Sequence, residues 1–165
     1  MTTKADFGEE EWTRLKRGPF VAGMAISLAD PGGPIELVKE TAATLKTVRS
    51  AAGEGGRGEL VDALSQEVVA DTAQRKNPMH DFKPAKGALA GQEILDELSA
   101  VNRMVSATAT PEEAQAYRDW LLSAAQEAAN AAKEGGFLGF RAERVSEGEQ
   151  RMLDRLGEVL APPPA

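Results

Sequence analysis

From Gly18 to Ala29 the chain reads GPFVAGMAISLA, twelve residues without a charge between Arg17 and Asp30. Phe20, Val21, Met24, Ile26 and Leu28 do not keep to one stripe. They go round a helix, with Ala22, Gly23, Ala25, Ser27 and Ala29 between them. A helix that is apolar all round must be enclosed on most sides, and small residues let its neighbours come close. The pattern predicts a central helix over Gly18–Ala29 with other helices packed around it.

The rest of the chain supplies those neighbours. Trp12 and Leu15 lie one turn apart in a short first helix, Gly8–Arg17, and Pro19 suits the first turn of the central one. Asp30-Pro31-Gly32-Gly33 stops the central helix, and Pro34 opens another with Ile35, Val38, Leu45 and Val48 inward. Four glycines among the seven residues Ala52–Gly58 predict a flexible connection. Leu60, Val61, Leu64 and Val68 mark a helix over about Glu59–Gln74. Residues 75–90, with two prolines and dispersed charges, predict a long loop. Helical spacing returns near Gly91 with Ile94, Leu98, Val101 and Val105.

Two capping boxes follow. Thr110-Pro111-Glu112-Glu113 opens a helix to about Lys133, with Tyr117, Leu121, Ala124, Ala128 and Ala131 on one face and Trp120 on a second. Ser146-Glu147-Gly148-Glu149 opens another through about Leu160, striped by Met152, Leu156 and Val159. No sustained alternation of β-branched residues occurs. The expected fold is all-α, a single-domain bundle of about six helices spanning 1–165, with tails at 1–7 and 161–165.

Composition narrows the function. Aromatic residues are 5% of the chain, so Leu, Val, Ile, Met and Ala must build the core. A formal charge of −7 argues against nonspecific nucleic-acid binding, which needs a basic surface. The absence of cysteine removes disulfides, thiolate metal sites and a cysteine nucleophile. Arg14, Lys16 and Arg17 before the apolar run, with Ser27-Leu28-Ala29 after it, have the order of a secretory signal. Asp6, Glu9, Glu10 and Glu11 upstream speak against that, and a bilayer span needs about 20 apolar residues. The expectation is a cytoplasmic protein without a transmembrane segment.

Few residues carry candidate chemistry. His80, the one histidine, stands beside Asp81, but it lacks a second histidine for zinc and a G-x-S-x-G serine for a triad. An enzyme using His80 is the least favoured reading. Arg75, Lys76, Lys83 and Lys86 form a basic patch around Asp81, read mainly as a solvated loop. Residues 91–134 hold eight acids and three bases, an acidic surface without the Glu-x-x-His of a dimetal bundle. In Gly135-Gly136-Phe137-Leu138-Gly139-Phe140 three large apolar residues sit in a glycine-rich connection. Either the bundle covers them or a partner does, which makes Phe137, Leu138, Phe140 and the flanking Arg141 and Arg144 partner-binding candidates.

Ala29-Asp30-Pro31-Gly32-Gly33-Pro34-Ile35-Glu36 and Val145-Ser146-Glu147-Gly148-Glu149 resemble helix-turn elements of the tellurite-resistance TerB-like helical family. The resemblance implies an all-helical fold and a metal-linked stress role. It carries over only Asp30 and Glu36, as an ion-binding pair. Pro31 and the double glycine depart from the family turn. The leading expectation is a non-enzymatic interaction or stress-associated protein with a protein partner, or a homo-oligomer. The alternative is a TerB-like ion- or ligand-binding protein. No particular cofactor follows from the sequence.

Overall fold

Glu9, Glu10 and Glu11 open the first helix, where the exposed N–H groups of its first turn favour negative charge. Glu11 also reaches back to accept from the Gly8 N–H at 2.8 Å. This helix, α1, runs Glu9–Ala29 without interruption. The computed structural model describes residues 2–29, 34–85, 88–133 and 145–164, with the backbone alone at 34–40, 88 and 132–133. Five more helices follow: α2 Pro34–Glu54, α3 Glu59–Ala73, α4 Ala88–Thr108, α5 Pro111–Lys133 and α6 Glu147–Val159. Every regular element among the described residues is helical, so the fold is an all-helical bundle.

The expected break between a Gly8–Arg17 helix and a Gly18–Ala29 helix is absent. Pro19 sits inside α1. It has no N–H to give the Leu15 carbonyl four residues back, an omission that normally breaks or kinks a helix. Here the Tyr117 hydroxyl of α5 donates to that carbonyl at 2.9 Å. Tyr117 comes so close because Gly18 has no side chain: a Cβ there would lie 2.3 Å from the Tyr117 oxygen. Gly18, Pro19 and Tyr117 thus form one device that carries α1 through a proline.

α1 packs on all five other helices, and so does α5. Trp12, Leu15, Val21, Ala22, Ala25 and Ile26 of α1 meet Tyr117, Trp120, Leu121, Ala125, Ala128 and Ala129 of α5 in one core cluster. Val48, Leu60, Leu64, Ile94, Leu98 and Leu156 close it from the other helices. Glycines permit two further close approaches. A Cβ on Gly23 would lie 2.5 Å from Thr44 Oγ1, and one on Gly148 would lie 2.7 Å from the Ala29 carbonyl oxygen. The second lets the start of α6 abut the end of α1.

Enclosure of the apolar run is incomplete. Leu28 is 42% exposed, and Phe20 and Met24 are only partly buried, beside a shallow apolar recess shared with Thr44 and Met79. Ile26→Ala is therefore expected to destabilise by about 2–4 kcal/mol and Met24→Ala by about 1 kcal/mol, because only the first leaves an enclosed cavity. Urea unfolding of the two variants checks this order.

Other boundaries shift in ways local chemistry explains. Both capping boxes form: Glu113 N–H donates to Thr110 Oγ1 at 3.3 Å, and Glu149 N–H to Ser146 Oγ at 3.2 Å. The glycine-rich connection shortens, since α2 continues to Glu54 before Gly55, Gly56 and Gly58 take positive φ. α4 begins at Ala88 rather than near Gly91. Residues 2–7, expected as a loose tail, are anchored. Thr2 is buried, Lys4–Asp6 form a 3-10 turn, and Phe7 packs on Trp12 with ring centroids 5.9 Å apart. Asn102 holds the far end by donating to the carbonyls of Val159 and Ala161 at 3.0 and 2.8 Å. No helix is long and apolar enough to cross a membrane among the described residues.

Candidate functional site

Arg14, Lys16 and Arg17, which resemble the charged start of a signal sequence, are the organising charges of the molecule. Arg14 and Arg17 are three residues apart on α1 and share a face. Both reach Glu97 of α4. Arg14 Nε and Nη2 donate to its two oxygens at 3.0 and 2.7 Å, and Arg17 Nη2 donates to Oε1 at 2.8 Å. The other Arg17 terminal nitrogen pairs with Asp81 at 2.6 Å, and its guanidinium lies 5.1 Å from the Phe82 ring centre. Burial works to raise the Glu97 carboxyl, but the bonds from Arg14 and Arg17 outweigh it and hold Glu97 below the ordinary carboxylate range. Asp81 is lowered in the same way, burial being outweighed by Arg17.

The segment 75–85 is anchored, although Arg75, Lys76 and Lys83 stay exposed as expected of a solvated basic loop. Arg17 clamps the segment through Asp81 and Phe82, and Glu93 accepts from the Ala85 N–H at 2.7 Å. It also separates the His80-Asp81 neighbours. The Asp81 carboxylate is committed to Arg17, while His80 Nδ1 lies 3.1 Å from the Asn77 carbonyl oxygen, to which it donates. The pair forms no catalytic dyad.

Lys16 occupies the neighbouring face of α1 and meets Glu67 and Asp71, one turn apart on α3. Lys16 Nζ donates to Glu67 Oε1 at 3.0 Å and to Asp71 Oδ2 at 2.6 Å. Lys76 takes Asp71 Oδ1 at 3.0 Å, while Lys4 and the Trp12 indole N–H reach Glu67 at 3.0 and 2.8 Å. Burial lowers the Lys16 ammonium, but its two carboxylate partners prevail and its pKa is raised. Lys16 first, then Lys76, lowers Asp71 against burial, and Glu67 is lowered by Trp12, Lys4 and Lys16 despite burial. Between these side chains and residues 76–80 lies an open cleft of about 220 Å³, lined by Thr13, Lys16, Glu67, Val68, Asp71, Lys76, Asn77, Pro78 and His80.

A third set of bonds ties the N-terminal segment to α5. Glu113, the capping-box glutamate, accepts from the Thr2 N–H at 2.9 Å and from the Thr2 hydroxyl, besides the Thr110 N–H at 3.2 Å. Burial pushes its carboxyl up; the two Thr2 bonds and the Thr110 N–H outweigh that and hold it at about 2, against an ordinary 4.5. A carboxyl with a depressed folded-state pKa stabilises fully above its unfolded pKa, and the contribution fades as pH falls through the folded one. Stability should therefore drop as pH falls from about 4.5 toward 2. Glu113→Gln should remove roughly 1–2 kcal/mol at pH 6 and flatten the decline, as read by urea unfolding across that range.

Sequence reasoning singled out His80, Asp81 and Lys76, and the structure brings all three to the junction of α1, α3 and the 76–82 segment. It missed Glu67 and Asp71, although their (i, i+4) spacing was a signal that they share a face, and it read Glu97 with Glu93 and Asp96 as part of an acidic helical surface, where the structure pairs it with Arg14 and Arg17. The partner-binding candidates Phe137, Leu138, Phe140, Arg141 and Arg144 lie outside the described residues, as do Asp30 and the side chain of Glu36. Among the described residues no three His, Asp or Glu side chains are grouped to hold a metal ion. Comparison with protein-family models, with curated proteins and with solved structures gives no match, so the TerB-like resemblance stands on its sequence motifs alone.

Proposed function

We propose that this protein is non-enzymatic and works by contact, as a helical adaptor whose working surface is the face built by α1, α3 and residues 76–80. The observation that supports this reading is the fixed register of its charges, with Lys4, Lys16 and Lys76 paired to Glu67 and Asp71 at 2.6–3.0 Å. Glu67, Asp71 and Asp81 are all held below the carboxylate range, and Lys16 is held above the ordinary ammonium value. General acid–base work needs the reverse, a group moved toward the working pH. Fixed charges in a set register suit recognition, because they speed encounter with a complementary surface and penalise a mismatched one.

Co-purification from the native host with wild type and a Lys76→Glu/His80→Glu variant tests this. Both side chains are exposed, and a surface pair such as Lys76–Asp71 contributes at most about 1 kcal/mol, so the variant should fold and melt within a few degrees of wild type. The expected result is a partner retained by wild type and lost by the variant. Equal recovery with both proteins would overturn the reading of this face.

A further inference from the structure

Residues 76–82 cross one stripe of α1. Thr13, Lys16, Phe20, Met24 and Ser27 recur at helical spacing along that stripe. On one side of the crossing, Thr13 and Lys16 line the open cleft together with Lys76, Asn77, Pro78 and His80. On the other side, Phe20, Met24 and Ser27 line the apolar recess together with Met79. Between the two, Arg17 holds Asp81 at 2.6 Å and faces the Phe82 ring. The crossing segment is lightly held. None of residues 76–82 is fully buried, and Pro78, Met79 and Phe82 are only partly so. Two of its backbone hydrogen bonds close on itself, from the His80 N–H to the Asn77 carbonyl at 3.2 Å and from the Phe82 N–H to the Met79 carbonyl at 3.3 Å. The chain enters it through Arg75 at φ 60°, in the left-handed region that a residue with a Cβ disfavours. A segment with few buried apolar contacts opens more readily than the core, and a residue at the end of a helix can act as its hinge.

We propose that residues 76–82 are a latched strap, which swings about Arg75 when the Arg17–Asp81 pair parts and thereby gates the stripe of α1 from Thr13 to Ser27. The two members of the latch differ in what parting does to them. Arg17 is 7% exposed at its side chain and keeps Glu97 when the strap leaves, whereas Asp81 is 34% exposed and passes into water. Parting therefore leaves no unpaired buried charge, and its cost is nearer that of a surface pair than of a buried one. Release of Arg75 from the left-handed region offsets part of that cost. Opening carries Met79 and Phe82 away, and both only lean on the core as partly buried side chains. The cleft and the recess then become one trough along α1, charged at Lys16 and Arg17 and apolar at Phe20 and Met24. The strap goes beyond the contact reading, which concerns the closed face, and does not depend on it.

The chain has no cysteine, so a single introduced thiol reports access at one place. Met24→Cys puts that thiol in the recess beside Met79. Leu28→Cys puts it one turn further on, where the native side chain is 42% exposed and lines neither cavity. The test is the rate at which dithionitrobenzoate labels each variant of the full chain, with and without a change at the latch or the hinge. Slow labelling follows the population of the open form. Asp81→Asn should speed labelling of Met24→Cys about fivefold, the worth of a partly exposed ion pair, and leave Leu28→Cys unchanged. Arg75→Gly removes the left-handed penalty from the closed strap and should slow labelling of Met24→Cys about threefold. A general loss of stability would speed both positions and could not slow either. Equal rates at Met24→Cys with and without Asp81→Asn, equal acceleration at both positions, or acceleration by Arg75→Gly would overturn the strap.

Discussion

Gly18→Ala is expected to destabilise the protein by about 3 kcal/mol, the largest loss from a single added methyl. The new Cβ would stand 2.3 Å from the Tyr117 oxygen and 2.9 Å from Leu121 Cδ2, and both side chains are fully buried. Leu121 can yield only by disturbing the core. Tyr117 can yield only by withdrawing its hydroxyl from the Leu15 carbonyl, which Pro19 leaves without a helical partner. Overpacking and an unpaired buried carbonyl then add together. Tyr117→Phe isolates the second effect and should lose about 1–3 kcal/mol. Combined with Gly18→Ala it should lose less than the sum, because removing the hydroxyl relieves the worst clash. At this size 3 kcal/mol corresponds to a fall in melting temperature of roughly 10 °C. A fall of less than about 2 °C for Gly18→Ala would show that α1 and α5 are not packed this closely.

Glu97→Gln should lose a comparable amount, about 3 kcal/mol. Glu97 is 10% exposed at its side chain and Arg17 is 7% exposed, so the substitution leaves two guanidinium groups facing a neutral amide, one of them away from water. Arg17 already has a buried Nε without a partner, so it has little reserve. The converse change is milder. Arg14→Ala should lose only about 1 kcal/mol, because Arg14 is 23% exposed and Glu97 keeps Arg17. This asymmetry separates a carboxylate shared by two cations from ordinary surface pairing. The Glu97 pKa is depressed, so its contribution is present above the ordinary glutamate range and is lost as pH falls below it. The difference between wild type and Glu97→Gln should accordingly shrink in acid. Calorimetric melting at pH 7 and pH 3 checks both the size and the sign.

What could be read from the sequence was set by local chemistry. Thr110/Glu113 and Ser146/Glu149 announced their helices because both members of a capping box lie within one turn. Ile94, Leu98, Val101 and Val105 announced a buried face because their spacing matches a helix, and all four are buried. Pro19 misled for a definite reason. A proline usually marks a helix start, and the tyrosine that permits otherwise lies 102 residues from the carbonyl it satisfies. The charged site was hidden in the same way. Lys16 meets Glu67 and Asp71 across 51 and 55 residues, and Arg17 meets Glu97 across 80. A stretch of Arg and Lys before an apolar run looks like targeting punctuation until the helices carrying its carboxylates are folded against it. Thr2 could not be foreseen as buried, because its partner Glu113 had a sufficient local role as a capping residue.

The continuity of α1 underlies all of this. Lys16 reaches α3, and Arg14 and Arg17 reach α4 and Asp81, only if the helix keeps its phase through Gly18 and Pro19 into the buried Val21–Ile26 segment. Backbone ¹³C secondary shifts of the full chain in solution test that directly. The structure predicts unbroken helical shifts from Glu9 to Ala29, with no reversal at Arg17, Gly18 or Pro19. A return to coil values across these three residues, giving two separate helices, would contradict it.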